Sequence, residues 1–118
     1  MNYWIVGATW GRKNLAEAFY LRGYWEMGYD DKDHLVYASR RNKIKTGDRI
    51  AVKTRDGRAA NTICIKAIGI VKEVAEKRVY INWIIKGMDR HVPSRNYFGT
   101  IHGPIKSSDS WTWKAFCL

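Results

Sequence analysis

The run Thr62 to Val74, TICIKAIGIVKEV, constrains the fold more than any other segment. It is rich in β-branched residues, longer than a flat strand ordinarily runs, and carries Gly69 at its middle. A strand of that length fits a small domain by bending, and a central glycine marks the bulge or sharp bend. Other strands are predicted around it. Tyr3 to Thr9 is β-branched and aromatic and ends at the small pair Gly7-Ala8; Arg49 to Lys53 alternates between faces after the tight turn Thr46-Gly47-Asp48. Val79 to Ile84 and Tyr97 to Ile105 complete the set, the last interrupted by Gly99 and Gly103. Asn14-Leu15-Ala16-Glu17 has the spacing of a capping box, with Asn14 as N-cap. The predicted helix runs to Arg22, has Gly23 in a left-handed C′ position, and turns Leu15, Ala18 and Phe19 to the core. The expected fold is α+β: a small curved, mostly antiparallel β-barrel with one or two helices packed on it.

At 118 residues and 46% hydrophobic content, the chain supports one domain, 1–118, with a compact core. No stretch approaches the roughly 18 to 20 apolar residues of a membrane span. The start, Met-Asn-Tyr-Trp-Ile-Val, runs straight into strand-like sequence without a basic leader, so a soluble cytoplasmic domain is expected. Cys64 and Cys117 lie far apart, and with 3 histidines they build neither a disulfide framework nor a zinc pattern. They are read as reduced thiols, and neither metal nor cofactor is expected.

Charge says more about partners. The 21 Lys and Arg against 11 Asp and Glu leave a net charge of +10. Between His34 and Arg58 there are 8 basic residues against 2 acidic ones, so more than half the surplus falls in about one fifth of the chain. A localised surplus of this size favours a polyanion, and with no basic amphipathic helix in view nucleic acid ranks ahead of anionic lipid. In the segment Tyr37 to Lys45, read as a loop, arginine forks suit phosphate oxygens while Ser39 and Asn42 are placed to reach a base edge. Arg12, Arg40, Arg41, Lys43, Lys45 and Lys53 are the expected backbone contacts.

Six tryptophans divide by context. Trp4 and Trp83 lie within strands and belong in the core. Trp111 and Trp113 fall in a polar tail and are expected to pack down as a terminal clasp. Trp10 and Trp25 flank the predicted helix among glycines. They read either as two walls that sandwich a flat heterocycle or as rings capping the barrel's open ends. Catalytic patterns are missing: no P-loop, no His-Glu-x-x-His and no Gly-x-Ser-x-Gly. Asp30, Asp31 and Asp33 read as a solvated acidic turn, and His91 and His102 as surface or structural histidines without a Cys or carboxylate partner. The expectation is a binding domain rather than an enzyme.

The order Tyr3-Trp4-Ile5-Val6, helix, Ala38-Ser39-Arg40-Arg41-Asn42, then Ile44-Lys45-Thr46-Gly47-Asp48-Arg49-Ile50 resembles an EVE domain of the PUA-like superfamily. The strand Ala67-Ile68-Gly69-Ile70-Val71 fits the same pattern. Leu21 to Tyr29, LRGYWEMGY, is similar to the EVE-like domains at the N-terminus of GTP-driven, modification-dependent restriction proteins of the McrB type. The likeness spans nearly the whole chain, and its most specific element is the Lys-x-Gly-Asp turn after the Arg-Asn segment. The first strand lacks the Lys-Ser-Glu-Pro run of simpler EVE proteins. The resemblance implies a concave pocket for a base swung out of duplex DNA, a modified cytosine foremost, caged by Trp10 and Trp25 with Ser39 and Asn42 at its edge. It implies a reader that directs a separate C-terminal GTPase or nuclease module, the chain being one domain of a longer restriction protein. The other readings are an RNA-binding PUA-like module, an enzyme acting on a nucleobase, and an adaptor whose aromatic loops dock on another subunit.

Overall fold

A computed structural model describes residues 1–118. In chain order its elements are β1 (Tyr3–Val6), β2 (Thr9–Trp10), β3 (Lys13–Asn14), α1 (Ala16–Arg22), β4 (Tyr24–Glu26), a 3₁₀ turn (Asp31–Asp33) and α2 (Leu35–Arg41). Then come β5 (Arg49–Arg55), β6 (Thr62–Val74), β7 (Arg78–Ile85), β8 (Arg90–Pro93), β9 (Ile101–Ile105) and α3 (Ser110–Phe116). The fold is α+β, a curled half-barrel sheet with three helices packed on it. None of the helices is long and apolar enough to cross a membrane.

The long strand bends where the sequence places the glycine. β6 pairs with β5 along one edge, while on the other it pairs with β8 over Thr62–Ile65 and with β7 over Ile68–Val74. The ladder to β7 shifts between Ile68 and Gly69. A Cβ at Gly69 would overlap the Ile81 side chain and sit 3.1 Å from the Trp83 ring, so the close approach of β7 requires glycine. The sheet order is β4-β7-β6-β5-β1-β9, with β1 and β5 its only parallel pair.

Both faces of the sheet are covered at β1 and β5, which explains the unbroken apolar runs of these two strands. Trp4, Val6, Ile50 and Val52 point into a core closed by Phe19 of α1, Trp25 of β4 and Ala38 of α2. Ile5 and Ala51 point the other way, into a core closed by Val92 and by Trp111, Ala115 and Phe116 of α3. Gly23 has φ +75° at the end of α1, as its sequence position predicts. The helix itself starts later than the capping box suggests: Leu15 is the N-cap, and Asn14 Oδ1 accepts from the amide of Ala16. Phe19 is buried, whereas Leu15 and Ala18 are half-buried.

Three segments differ from expectation. The first strand stops at Val6, and Thr9–Trp10 turns back on Lys13–Asn14 as a small hairpin. The segment read as a basic loop is largely helical: α2 contains Leu, Ala and Arg without glycine or proline, and local propensity outweighs its charge. The polar tail holds α3, capped by Asp109 accepting from the amide of Trp111 at 3.0 Å. Trp111 is buried and donates to the Pro93 carbonyl at 2.8 Å, as a clasp should, while Trp113 stays 66% exposed.

The Lys-x-Gly-Asp turn has a structural task. Gly47 adopts φ +91°, and Asp48, buried, accepts from the amides of Asn2 and Lys45 and from Trp4 Nε1 at 2.9 to 3.0 Å. One carboxylate thus ties the start of β1 to the turn before β5, the parallel pair with no hairpin to hold it. Asp48→Ala leaves the fully buried Trp4 Nε1 without its acceptor, while water can reach the two amides. The expected cost is about 2 to 3 kcal/mol, read as a lower denaturant midpoint at unchanged slope.

Candidate functional site

Several concavities carry polar side chains. A chamber of about 230 Å³ lies between α1, β5 and the β7–β8 loop. It is lined by Lys53, Lys66, Asp89, Glu17 and Tyr20, whose buried hydroxyl has no hydrogen-bond partner in the protein. Burial, with Glu17 nearby, pushes the Tyr20 phenol up to about 12. Another is an open groove of about 640 Å³ beside α2, lined among others by His34, Tyr37, Arg40, Gly99 and His102. A planar aromatic ligand needs ring faces to stack on. The chamber offers one aromatic side chain, whereas the groove offers several.

The groove's rings come from the turn ahead of α2 and its first residues. His34 and Tyr37 are stacked at 5.5 Å with 7° between planes, and Tyr29 lies 3.9 Å from His34 at 34°. Tyr29 and Tyr37 are themselves 6.1 Å apart at 27°. What folds these positions together is the ion pair Arg41–Asp31: Nη1 donates to Oδ1 at 2.7 Å and Nη2 to Oδ2 at 2.6 Å. Arg41 is buried in this contact and holds the Asp31 carboxyl below its usual range. Leu35 and Val36, both well exposed, flank the pile. At its far end Arg40 Nη1 donates to the Ile101 carbonyl at 2.8 Å and stands 3.5 Å from His102 Nδ1. His102 Nε2 accepts from the amide of Gly99 at 2.8 Å. Burial, helped by Arg40 and Lys53, depresses the His102 imidazole to about 4, so it is neutral at physiological pH.

Neither the protein-family models nor the curated proteins compared with this chain match it. The site must therefore be read from its own residues.

The residues singled out from sequence separate in space. Trp25 cannot wall a pocket: it is fully buried in β4, paired with Val79, and its Nε1 donates to the Gly7 carbonyl at 2.8 Å. Trp10 is 36% exposed but lies across Gly28, facing a neighbouring depression bordered by Tyr29 and His34. The two tryptophans form no sandwich. Arg41 is spent on Asp31 and is closed to phosphate; the Asp31 side chain is itself partly exposed to solvent, as expected of the acidic turn, but is paired rather than free. Asn42 is exposed at the end of α2, where its Oδ1 accepts from Arg41 Nη2 at 3.2 Å. Ser39 and Arg40 share one face of α2 with Val36, at the edge of the groove, and Lys43, just past the helix, continues that face. Lys45 is exposed in the following turn, and Arg12 in the two-residue turn of the β2–β3 hairpin.

Lys53 is not a surface cation. It is 6% exposed, its Nζ donates to the Phe98 carbonyl at 3.1 Å, and burial, with Arg55 nearby, lowers its pKa to about 8. It is still charged at neutral pH, so folding carries the cost of burying that charge. Wild-type stability should rise as pH climbs from about 8 towards 10.5, where the unfolded chain still holds a proton that the native state has shed. Lys53→Met should stabilise the protein at pH 7 by about 1 to 2 kcal/mol, an advantage shrinking over that same rise in pH, as thermal melts would show.

Sequence reasoning missed Tyr29, His34, Tyr37 and His102 as a group. The spacing His34-x-x-Tyr37 was visible, but its meaning depends on a helix beginning at Leu35. It also left His91 without a partner, whereas His91 Nδ1 lies 2.8 Å from Asp56 Oδ2 and faces Cys64 across the β6–β8 ladder. Asp56, Cys64 and His91 bring carboxylate, thiol and imidazole donors within 4.8 Å, a ligand set of the kind zinc accepts. Lys66 Nζ, 2.5 Å from Asp89 Oδ1, sets a competing positive charge at its edge.

Proposed function

We propose that this protein is a nucleic-acid-recognition domain of the EVE kind within the PUA-like superfamily. It takes a base swung out of duplex DNA, a modified cytosine foremost, into the groove beside α2. In this reading it directs a separate motor or nuclease in modification-dependent restriction. The observation that carries the proposal is the stacked His34–Tyr37 pair in an open groove, continued by Tyr29 of the neighbouring depression and with Arg40 at its end, on a chain of net charge +10. A planar base adds to such a pile as one more ring, at about 1 to 3 kcal/mol per stacked face. That is the scale needed to offset the few kcal/mol of extruding it.

Charge also gives the site a direction. Arg40 and Lys43 stand at one end without a carboxylate between them, while at the other, near Tyr29, Asp30 and Asp33 stand beside Lys32 and Lys77. The phosphate backbone passes the α2 C-terminal end, where cations supply salt-sensitive affinity independent of sequence. The test is competition binding at fixed salt among duplexes carrying cytosine, 5-methylcytosine, 5-hydroxymethylcytosine, N4-methylcytosine or N6-methyladenine at one site. A preference of tenfold or more for one duplex is the expected result. Equal, salt-sensitive binding to all five, with tighter binding to RNA, would replace this reading by an RNA-binding module.

A further inference from the structure

We infer that Arg40 and His102 form a two-donor clasp for an acceptor oxygen of the bound nucleic acid, a base carbonyl or a phosphate. The inference rests on the functional reading above but adds the chemistry of what the groove accepts. The hydrogen-bond network fixes it. The Gly99 amide can only donate, so His102 Nε2, 2.8 Å away, must hold a lone pair. A neutral imidazole then carries its proton on Nδ1. Arg40 Nη1, 3.5 Å from that nitrogen, has no acceptor lone pair to offer. Two donors therefore stand side by side on the groove wall with nothing between them to accept. Arg40 has no carboxylate partner, and its one protein acceptor, the Ile101 carbonyl, uses a single N–H of five.

This arrangement is built rather than incidental. Gly99 is confined: a Cβ there would lie 2.7 Å from Tyr37 Oη and 3.1 Å from His102 Nε2. Tyr97 packs on the other side of the imidazole at 5.1 Å. Burial keeps the ring neutral, and the charged groups facing it, Arg40 from α2 and Lys53 from β5, are both positive and act in the same direction. The clasp itself offers only donors and therefore favours an acceptor oxygen. Cytosine presents O2 beside N3, two adjacent acceptors that can each take one donor, whereas each thymine carbonyl, itself an acceptor, is flanked by N3–H.

Two measurements test the clasp. Long-range nitrogen–proton correlation spectra of the free, ¹⁵N-histidine-labelled protein should show His102 as the Nδ1–H tautomer; the Nε2–H tautomer would overturn the clasp without any ligand. Binding of wild type, Arg40→Met and His102→Phe should then be compared on the preferred duplex, its thymine counterpart and one with an abasic site at that position. Each variant should bind the preferred duplex about tenfold more weakly, the scale of one lost hydrogen bond. If the loss disappears on the abasic duplex, the clasp holds a base carbonyl; if it persists, the clasp holds a phosphate. Variants that bind every duplex as wild type does overturn the clasp while leaving base reading in place. Failure of wild type to bind any duplex overturns both.

Discussion

Trp25→Ala should unfold this protein far more readily than it blinds it to a base. The ring is fully buried, fills the core between β4 and α1, and loses a 2.8 Å hydrogen bond to Gly7 on truncation. Removing so large a side chain from a closed core costs about 3 to 5 kcal/mol. For a domain of this size that lowers the melting temperature by on the order of 10 to 20 °C. The fraction that remains folded should keep its ratio of affinities for modified and unmodified duplexes. Trp10→Ala should behave oppositely in stability, at about 1 kcal/mol, because its ring lies on the surface across Gly28 and meets Phe19 edge-on at 6.3 Å. Thermal melts paired with two-duplex competition separate the cases. A Trp25→Ala protein that melts normally but has lost base preference would return Trp25 to the binding wall and sink the assignment of the groove.

The contrast between these two tryptophans shows where sequence reasoning succeeds and stops. Glycines near Trp25 suggested a loop, but Tyr24-Trp25-Glu26 is an edge strand, placed by pairing with Val79 and its neighbours more than fifty residues away. Features decided within a few residues were legible: the bend at Gly69, the left-handed Gly23 and the turn at Gly47-Asp48. Features decided by register were not. The parallel pairing of β1 with β5 and the meeting of Cys64 with His91 follow from which strands lie side by side, and no local pattern encodes that. Arg41 illustrates the same limit for charge. It counts towards a basic patch in sequence, yet in space it is consumed by Asp31, ten residues earlier. Counting cations gave the sign of the surface correctly but could not say which cations are free. Arg40, its neighbour, reaches the groove because adjacent residues on a helix point about 100° apart.

Removing the ring pile should therefore separate stacking from charge. His34→Ala with Tyr37→Ala is expected to weaken binding to the preferred duplex by about 30-fold or more, at about 1 to 3 kcal/mol per ring. The slope of log affinity against log salt should not change, because neither residue neutralises a phosphate. Lys43→Ala with Lys45→Ala should do the reverse: weaken every duplex alike and flatten the salt slope by about two. Loss of fold is a weak explanation for the first result. The bidentate Arg41–Asp31 pair holds the 3₁₀ turn to α2 without either ring, and Ala38 and Ile44 anchor the segment in the core. Tyr37→Phe supplies the internal control, keeping the stacking face while removing the hydroxyl that approaches Gly99. If it binds as wild type does while the alanine pair fails, a ring face is what the ligand uses. If the alanine pair changes only the salt slope, the rings serve to position Arg40, and stacking is not how this groove holds a base.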